Sequence, residues 1–247
     1  MSEQIEKIKI AKTELELLTK MTDMVVEEIT INPFSYYDQD CLSCRVMDAS
    51  HVSLLEIVLK NAPLNKRFAF RTHDLKEIVN SFDSDIIDLQ LIPGEKLILF
   101  DNNQKNELRL IETTDGKTPL PKIDYNTVIT VSIKEFYKVM SEFNKQKFDY
   151  IEFCYAPANK NDLMIESKSD HGKFSKSDKI QNVLNDGFSC QIFGLEYIMP
   201  YLRILNTNKD TKNLDLEISF SENKPIKFSV DNYVNRCDFY LAPRIEN

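Results

Sequence analysis

Apolar residues in this chain recur at two spacings, and the switching between them sets the expected architecture. In four stretches they return every three or four residues, the period of a helix with one buried face. Residues 12–28 carry Leu17, Leu18, Met21, Met24 and Val25 in this way, and residues 72–82 carry Leu75, Ile78, Val79 and Phe82. The third stretch, 132–145, has Ile133, Phe136, Tyr137, Met140 and Phe143; the fourth, 194–205, has Leu195, Ile198, Met199, Leu202 and Leu205. Pro200 falls inside the fourth, where its missing N–H is expected to kink or shorten the helix.

Elsewhere the apolar positions alternate, as in half-buried strands. Leu214, Leu216, Ile218 and Phe220 share one side, as do Ile226, Phe228 and Val230, and likewise Ile151, Phe153 and Tyr155. Turn formers such as Pro93-Gly94 and Ser221-Glu222-Asn223 separate such runs. Strands outnumber helices, which predicts an α+β chain built on antiparallel sheets. The order helix, several strands, helix, several strands then repeats. Lys9-Ile10-Ala11-Lys12-Thr13-Glu14-Leu15 and Thr130-Val131-Ser132-Ile133-Lys134-Glu135-Phe136 both run from a strand into a helix, about half the chain apart. A duplicated domain is expected, with halves at 1–110 and 125–247 and a connector at 111–124. Gly116, Pro119 and Pro121 suit the connector to neither helix nor strand.

Composition narrows the function more than the fold. At 247 residues, with 42% hydrophobic and 28% charged positions, the chain has ordinary globular character and room for two domains. Met1-Ser2-Glu3-Gln4 lacks the basic-then-apolar pattern of a signal peptide, and no apolar run approaches spanning length. An intracellular protein without membrane contact is expected. The five cysteines are scattered. In a strand, Cys41 and Cys44 would point to opposite faces, and no second close pair completes a zinc site. Reduced structural thiols, no metal and no cofactor are the expectation. The net charge of −8 argues against a general nucleic-acid binder, yet is compatible with a locally basic surface. With three histidines and no phosphate loop, Gly-x-Gly-x-x-Gly or Gly-x-Ser-x-Gly elbow, an enzyme is not expected.

Two segments carry more information than the rest. They are Met47-Asp48-Ala49-Ser50-His51-Val52-Ser53-Leu54 and the tail Phe239-Tyr240-Leu241-Ala242-Pro243-Arg244-Ile245-Glu246. Both are short, apolar and partly rigid, as befits the lining of a docking groove rather than a catalytic motif. With Ile133-Lys134-Glu135-Phe136 and Phe193-Gly194-Leu195-Glu196-Tyr197, they make the chain resemble the proliferating cell nuclear antigen (PCNA) family of DNA sliding clamps, over essentially its whole length.

The resemblance implies two similar clamp domains, each with antiparallel sheets and two helices, and a pseudo-six-fold trimeric ring. It implies a polymerase processivity factor that encircles double-stranded DNA without reading sequence. The implied partners are DNA polymerase, a clamp loader, flap endonuclease and ligase, all through docking peptides, and two further copies of the chain. The compartment would be the nucleus in a eukaryote, the cytoplasm or nucleoid in an archaeon, or the host replication site for a virus. By the same resemblance Lys12, Lys20, Lys76, Lys134, Lys138, Lys145 and Arg203 face DNA, although Glu16, Glu77, Asn80 and Glu196 thin the basic lining. The peptide pocket would comprise Met47, His51, Val52, Leu54, Leu120, Pro121, Tyr125, Pro225, Tyr240, Leu241, Ala242, Pro243 and Ile245, with Thr118 where an aliphatic residue is usual. Subunits would join through edge strands at 107–111 and 173–180, including Glu107, Arg109, Ile111, Phe174, Lys176 and Ile180. A subunit of a heterotrimeric clamp, or a clamp-fold scaffold that does not encircle DNA, is the alternative.

Overall fold

The computed structural model describes residues 6–37, 39–60, 62–113, 118–159, 162–169 and 172–244. The chain divides into two units. The first comprises Met1–Pro119 with Asp231–Cys237, and the second Leu120–Val230 with Asp238–Asn247.

In the first unit β1 (Glu6–Ala11) leads into α1 (Lys12–Asp23), followed by β2 (Glu28–Tyr36), β3 (Gln39–Met47), β4 (Ser53–Leu59) and β5 (Phe68–Arg71). Then come α2 (Thr72–Ser81), β6 (Ile86–Ile92), β7 (Lys96–Phe100) and β8 (Lys105–Arg109). The rest of the chain repeats this order: β9 (Thr127–Ser132), α3 (Ile133–Lys145), β10 (Tyr150–Tyr155), β11 (Asp162–Ser169), β12 (Gly172–Asp186), β13 (Ser189–Gly194), α4 (Leu195–Thr207), β14 (Asp215–Phe220), β15 (Ile226–Asp231) and β16 (Asn235–Leu241).

The pairings repeat with the elements. β1 lies antiparallel to β6 as β9 does to β14, and β2 joins β3 and β5 as β10 joins β11 and β13. Likewise β3–β4 matches β11–β12, and β6–β7 matches β14–β15. Ten elements in one order, paired in one pattern, are the structural form of the duplication expected from the sequence.

Three boundaries differ from the periodicity. α1 stops at Asp23 rather than running to 28. The β-branched pair Val25-Val26 disfavours another turn, and both amides fall back on the Thr22 carbonyl at 2.9 Å. Met24 and Val25 are therefore half-buried turn residues rather than helix core. α2 ends one residue early, with Phe82 extended but still buried. α4 is not shortened by Pro200; it continues to Thr207. Pro200 removes one backbone donor, and the burial of Tyr201, Leu202 and Leu205 beyond it outweighs that loss.

The cysteines correct a second expectation. Cys41, Cys44 and Cys237 are buried thiols outside any disulfide, and burial raises the Cys44 thiol to about 12. Cys154 and Cys190, however, are joined as a disulfide rather than held apart as reduced thiols. They stand directly opposite one another on β10 and β13, a placement that strand register creates and sequence spacing does not disclose.

The units differ in their cores. In the second, Phe136, Phe153, Phe193, Phe220 and Phe228 pack with ring centroids 6.0–6.4 Å apart, and Tyr201 stacks on Phe239 at 4.9 Å. The first relies on aliphatic residues such as Leu17, Leu55, Ile57, Leu91 and Leu99, with Phe68, Phe70 and Phe82.

Candidate functional site

The segment Met47–Leu54 is a turn organised by one carboxylate. Asp48 Oδ1 accepts from the amides of Val52 (2.9 Å) and Ser53 (2.6 Å), and the His51 amide donates to the Asp48 carbonyl at 3.0 Å. These bonds hold His51 at φ +57°, a left-handed conformation that a histidine rarely adopts without support. His51 is thereby exposed, with Nδ1 2.8 Å from Met47 Sδ, while Val52 is half-buried. Met47, His51 and Val52 thus come to the surface together. Leu54 points inward and is only 5% exposed.

Beside this turn, the outer face of β2 and β3 carries a groove of about 350 Å³ whose lining includes Thr30, Phe34, Arg45, Met47 and Thr118. Arg45 closes one side. Its Nε donates to Glu56 Oε1 across the β3–β4 pair at 3.2 Å, and its Nη1 donates to the Thr118 carbonyl at 2.6 Å. The guanidinium therefore fastens the start of the 118–124 stretch to the sheet. Sequence reading missed Arg45. Its one signal was a long cation facing a glutamate across two neighbouring strands, which only the register reveals.

In the second unit Leu120, Pro121, Tyr125 and Pro225 are half-buried. Tyr125 is fixed by its backbone, since its carbonyl accepts from Asn185 Nδ2. Its buried hydroxyl has no hydrogen-bond partner among the described residues. Burial, then the neighbouring Tyr240 and Asp238, push the phenol above its usual range, so it stays protonated. Tyr240 is 8% exposed, and Leu241 is fully buried, so Leu241 belongs to the core. Ala242 and Pro243 are half-buried. Ile245 lies outside the described residues.

The helix faces differ between units. In the first, Glu16 sits between two expected DNA-facing lysines, 3.9 Å from Lys12 Nζ and 3.0 Å from Lys20 Nζ. Lys12 also donates to the Phe82 carbonyl, and Lys76 bridges α2 to α1 through Asp23. On α3, Lys138 pairs with Glu135 at 2.8 Å and holds that carboxyl below its usual range. Lys134, Lys145 and Arg203 are exposed and make no ion pair among the described residues. The basic face is therefore concentrated on α3 and α4.

Both expected joining segments offer an open side. β8, carrying Glu107 and Arg109, is the last strand in the order β1-β6-β7-β8, and Ile111 just beyond it bridges to Ala69. β12 changes partner midway: Gly172 to Lys179 pairs β11, and Ile180 to Asp186 pairs β9. Residues 172–179 thus have one paired side among the described ladders. The charged side chains of these segments have local partners. Glu107 takes hydrogen bonds from Lys96 and Lys105, which lower its pKa, while Lys173 meets Glu166, Lys176 meets Glu142 and Lys179 meets Asp162. Phe174 packs edge-on against Phe143 of α3 at 4.8 Å.

No family model matches the chain. Its sequence is 30% identical over 222 residues to the DNA polymerase sliding clamp of Nitrosopumilus maritimus (strain SCM1), covering 83% of this chain and 86% of that protein. Among solved structures, A. fulgidus PCNA bound to the C-terminal region of FEN-1 matches with TM-score 0.84 at 18% identity, covering 99% of this chain and 100% of that one. A chain of the PCNA2–PCNA3 complex from Sulfolobus tokodaii matches with TM-score 0.78 at 18% identity, covering 98% and 100%. At these identities the solved structures establish the fold.

Proposed function

The chain belongs to the DNA polymerase sliding clamp family, and from that premise we propose that it closes with further copies of itself into a ring around duplex DNA. It then acts as a processivity factor, holding replication and repair enzymes on the template. The observation that carries this reading is the doubled order of elements, with two helices in each unit. Three copies of such a chain supply the six repeats of a pseudo-six-fold ring, with domains at 1–110 and 125–247 and a connector at 111–124. Closure would pair the open side of β8 with that of residues 172–179, satisfying backbone groups that otherwise invite uncontrolled association.

Lys134, Lys145 and Arg203, with weaker help from Lys12, Lys20, Lys76 and Lys138, would touch phosphates. Such contacts are salt-sensitive and blind to sequence, which suits a ring that must slide. Partner enzymes would dock through short peptides on the Met47–Val52 turn, Leu120, Pro121, Tyr125, Pro225 and the Tyr240–Pro243 tail, with Leu54 and Leu241 as buried support. The FEN-1 segment held by A. fulgidus PCNA supports this mode. Rigid prolines and aromatics give contact area at little ordering cost. Activity of this kind is binding, not catalysis, and the archaeal relative supports a place inside the cell, at replicating DNA.

A ring of unlike subunits is the second reading. The acidic partners of Lys12, Lys20 and Lys76 favour it, as does a solved relative made of two different clamp proteins. Calorimetric titration with the C-terminal peptide of a flap endonuclease tests docking. Replacing Leu120 and Pro121 by alanine should weaken binding by about 10-fold or more, and unchanged affinity would refute the assignment.

A further inference from the structure

The Cys154–Cys190 pair has no part in ring closure, DNA contact or docking as proposed above. Strands β10 and β13 set these residues face to face with Cα atoms 4.2 Å apart, the closer of the two antiparallel pair spacings. Glu152 lies two residues before Cys154, hence on the same side of the sheet, and its Oε1 is 3.3 Å from Cys190 Sγ. One ligand atom from each of the three residues lies within 4.8 Å of the other two, and all three residues are half-buried. The opposite side of the same strands, with Ile151, Phe153 and Phe193, is core. The cluster therefore faces outward, open to a small solute. Its Cβ positions are set by two paired strands rather than a loop.

Once parted, the two sulfurs join the carboxylate oxygen as three donors of the kind a thiophilic divalent cation takes, four in a tetrahedron with water tolerated as the fourth. We propose that, once the disulfide is reduced, Cys154, Cys190 and Glu152 bind a zinc-type cation on the outer face of the β10–β13 pair. Reduction by a dithiol transfers two electrons and two protons to the protein sulfurs, and the dithiol becomes a cyclic disulfide. The incoming M²⁺ then displaces both thiol protons, forms two metal–sulfur bonds and takes the Glu152 carboxylate as third ligand. The same two sulfurs cannot hold the metal and be bonded to one another. A small-molecule disulfide that takes two electrons from the thiolates, and two protons from water to become a dithiol, re-forms the Cys154–Cys190 bond and releases M²⁺, so the site is redox-gated by construction. Reducing compartments favour the dithiol form, but the proposal stands on these three residues alone and is independent of the clamp reading.

The experiment uses the full chain, reduced without oxygen and titrated with Co²⁺, whose thiolate charge-transfer absorption reports sulfur ligation; Zn²⁺ should then displace it. Reduced protein should develop the band, and oxidised protein should not. Cys154→Ser and Cys190→Ser should each weaken binding by more than about 100-fold, and Glu152→Gln by about 10-fold. The doubly substituted chain retains Cys41, Cys44 and Cys237, so equal binding by it would overturn the proposal. A measurement on the unaltered chain removes any dependence on how the variants fold. Bound Zn²⁺ should slow alkylation of Cys154 and Cys190, mapped by peptide mass spectrometry. Equal labelling with and without Zn²⁺ would also overturn it.

Discussion

The two units share one order of elements and one pairing pattern, yet they distribute charge and aromatic mass differently. On α1 and α2 each expected DNA-facing lysine has an acidic neighbour, so the helix pair is close to self-neutralised. On α3 and α4, Lys134, Lys145 and Arg203 are exposed and make no ion pair among the described residues. The second unit also replaces much of the first unit's aliphatic core with interlocked rings. A duplicated scaffold thus constrains backbone and core polarity far more than it constrains outward-facing charge. Helix faces opposite the core can diverge without disturbing the fold.

The largest expected effect probes the cores. Phe153 touches Phe136, Phe193, Phe220 and Phe228, so Phe153→Ala should lower stability by about 3–5 kcal/mol in urea denaturation. A loss below about 1 kcal/mol would contradict a tightly interlocked aromatic core. The charge contrast comes next. Replacing Lys134 and Lys145 by alanine should reduce the salt slope of DNA-dependent polymerase stimulation by about 2, and replacing Lys20 and Lys76 by less than about 1. Equal effects would erase the asymmetry between the units.

The smallest effect concerns Asp178 on β12, whose Oδ2 is buried without a hydrogen-bond partner among the described residues while Oδ1 accepts from the Lys179 amide. Burial, reinforced by Glu135, raises its pKa from 3.8 to about 6. Between those values the folded chain holds a proton that the unfolded chain releases. Stability from this group therefore falls as pH rises through that window, and the full penalty applies above it. Asp178→Asn should raise Tm at pH 7.5 by about 2–4 °C, with the gain shrinking as pH drops below 6. A gain that grew at low pH would reverse the assigned sign.

Much of this was legible in the sequence because burial leaves a period. Ile133, Phe136, Met140 and Phe143 mark α3, and Leu216, Ile218 and Phe220 mark β14, because one face of each element must meet the core. What the period could not reveal was register. Arg45 opposite Glu56, Cys154 opposite Cys190, and the midway change of partner on β12 all arise from which strand lies beside which. Helix ends were also obscured where local chemistry competes with periodicity, as at Val25-Val26. The residues proposed for docking could be named as a set, but their division into exposed and buried positions was not visible. Met47 and His51 reach the surface through a turn held by Asp48, while Leu54 and Leu241, equally apolar in sequence, are buried.

The central claim is encirclement, and topology tests it directly. Protein loaded by its clamp loader onto a closed circular duplex should stay bound through high-salt gel filtration, and should be lost when a single restriction cut linearises the circle. A ring leaves by sliding off an end, whereas a surface binder is indifferent to ends. Equal retention on circular and linear DNA, or salt-labile binding to both, would contradict the account.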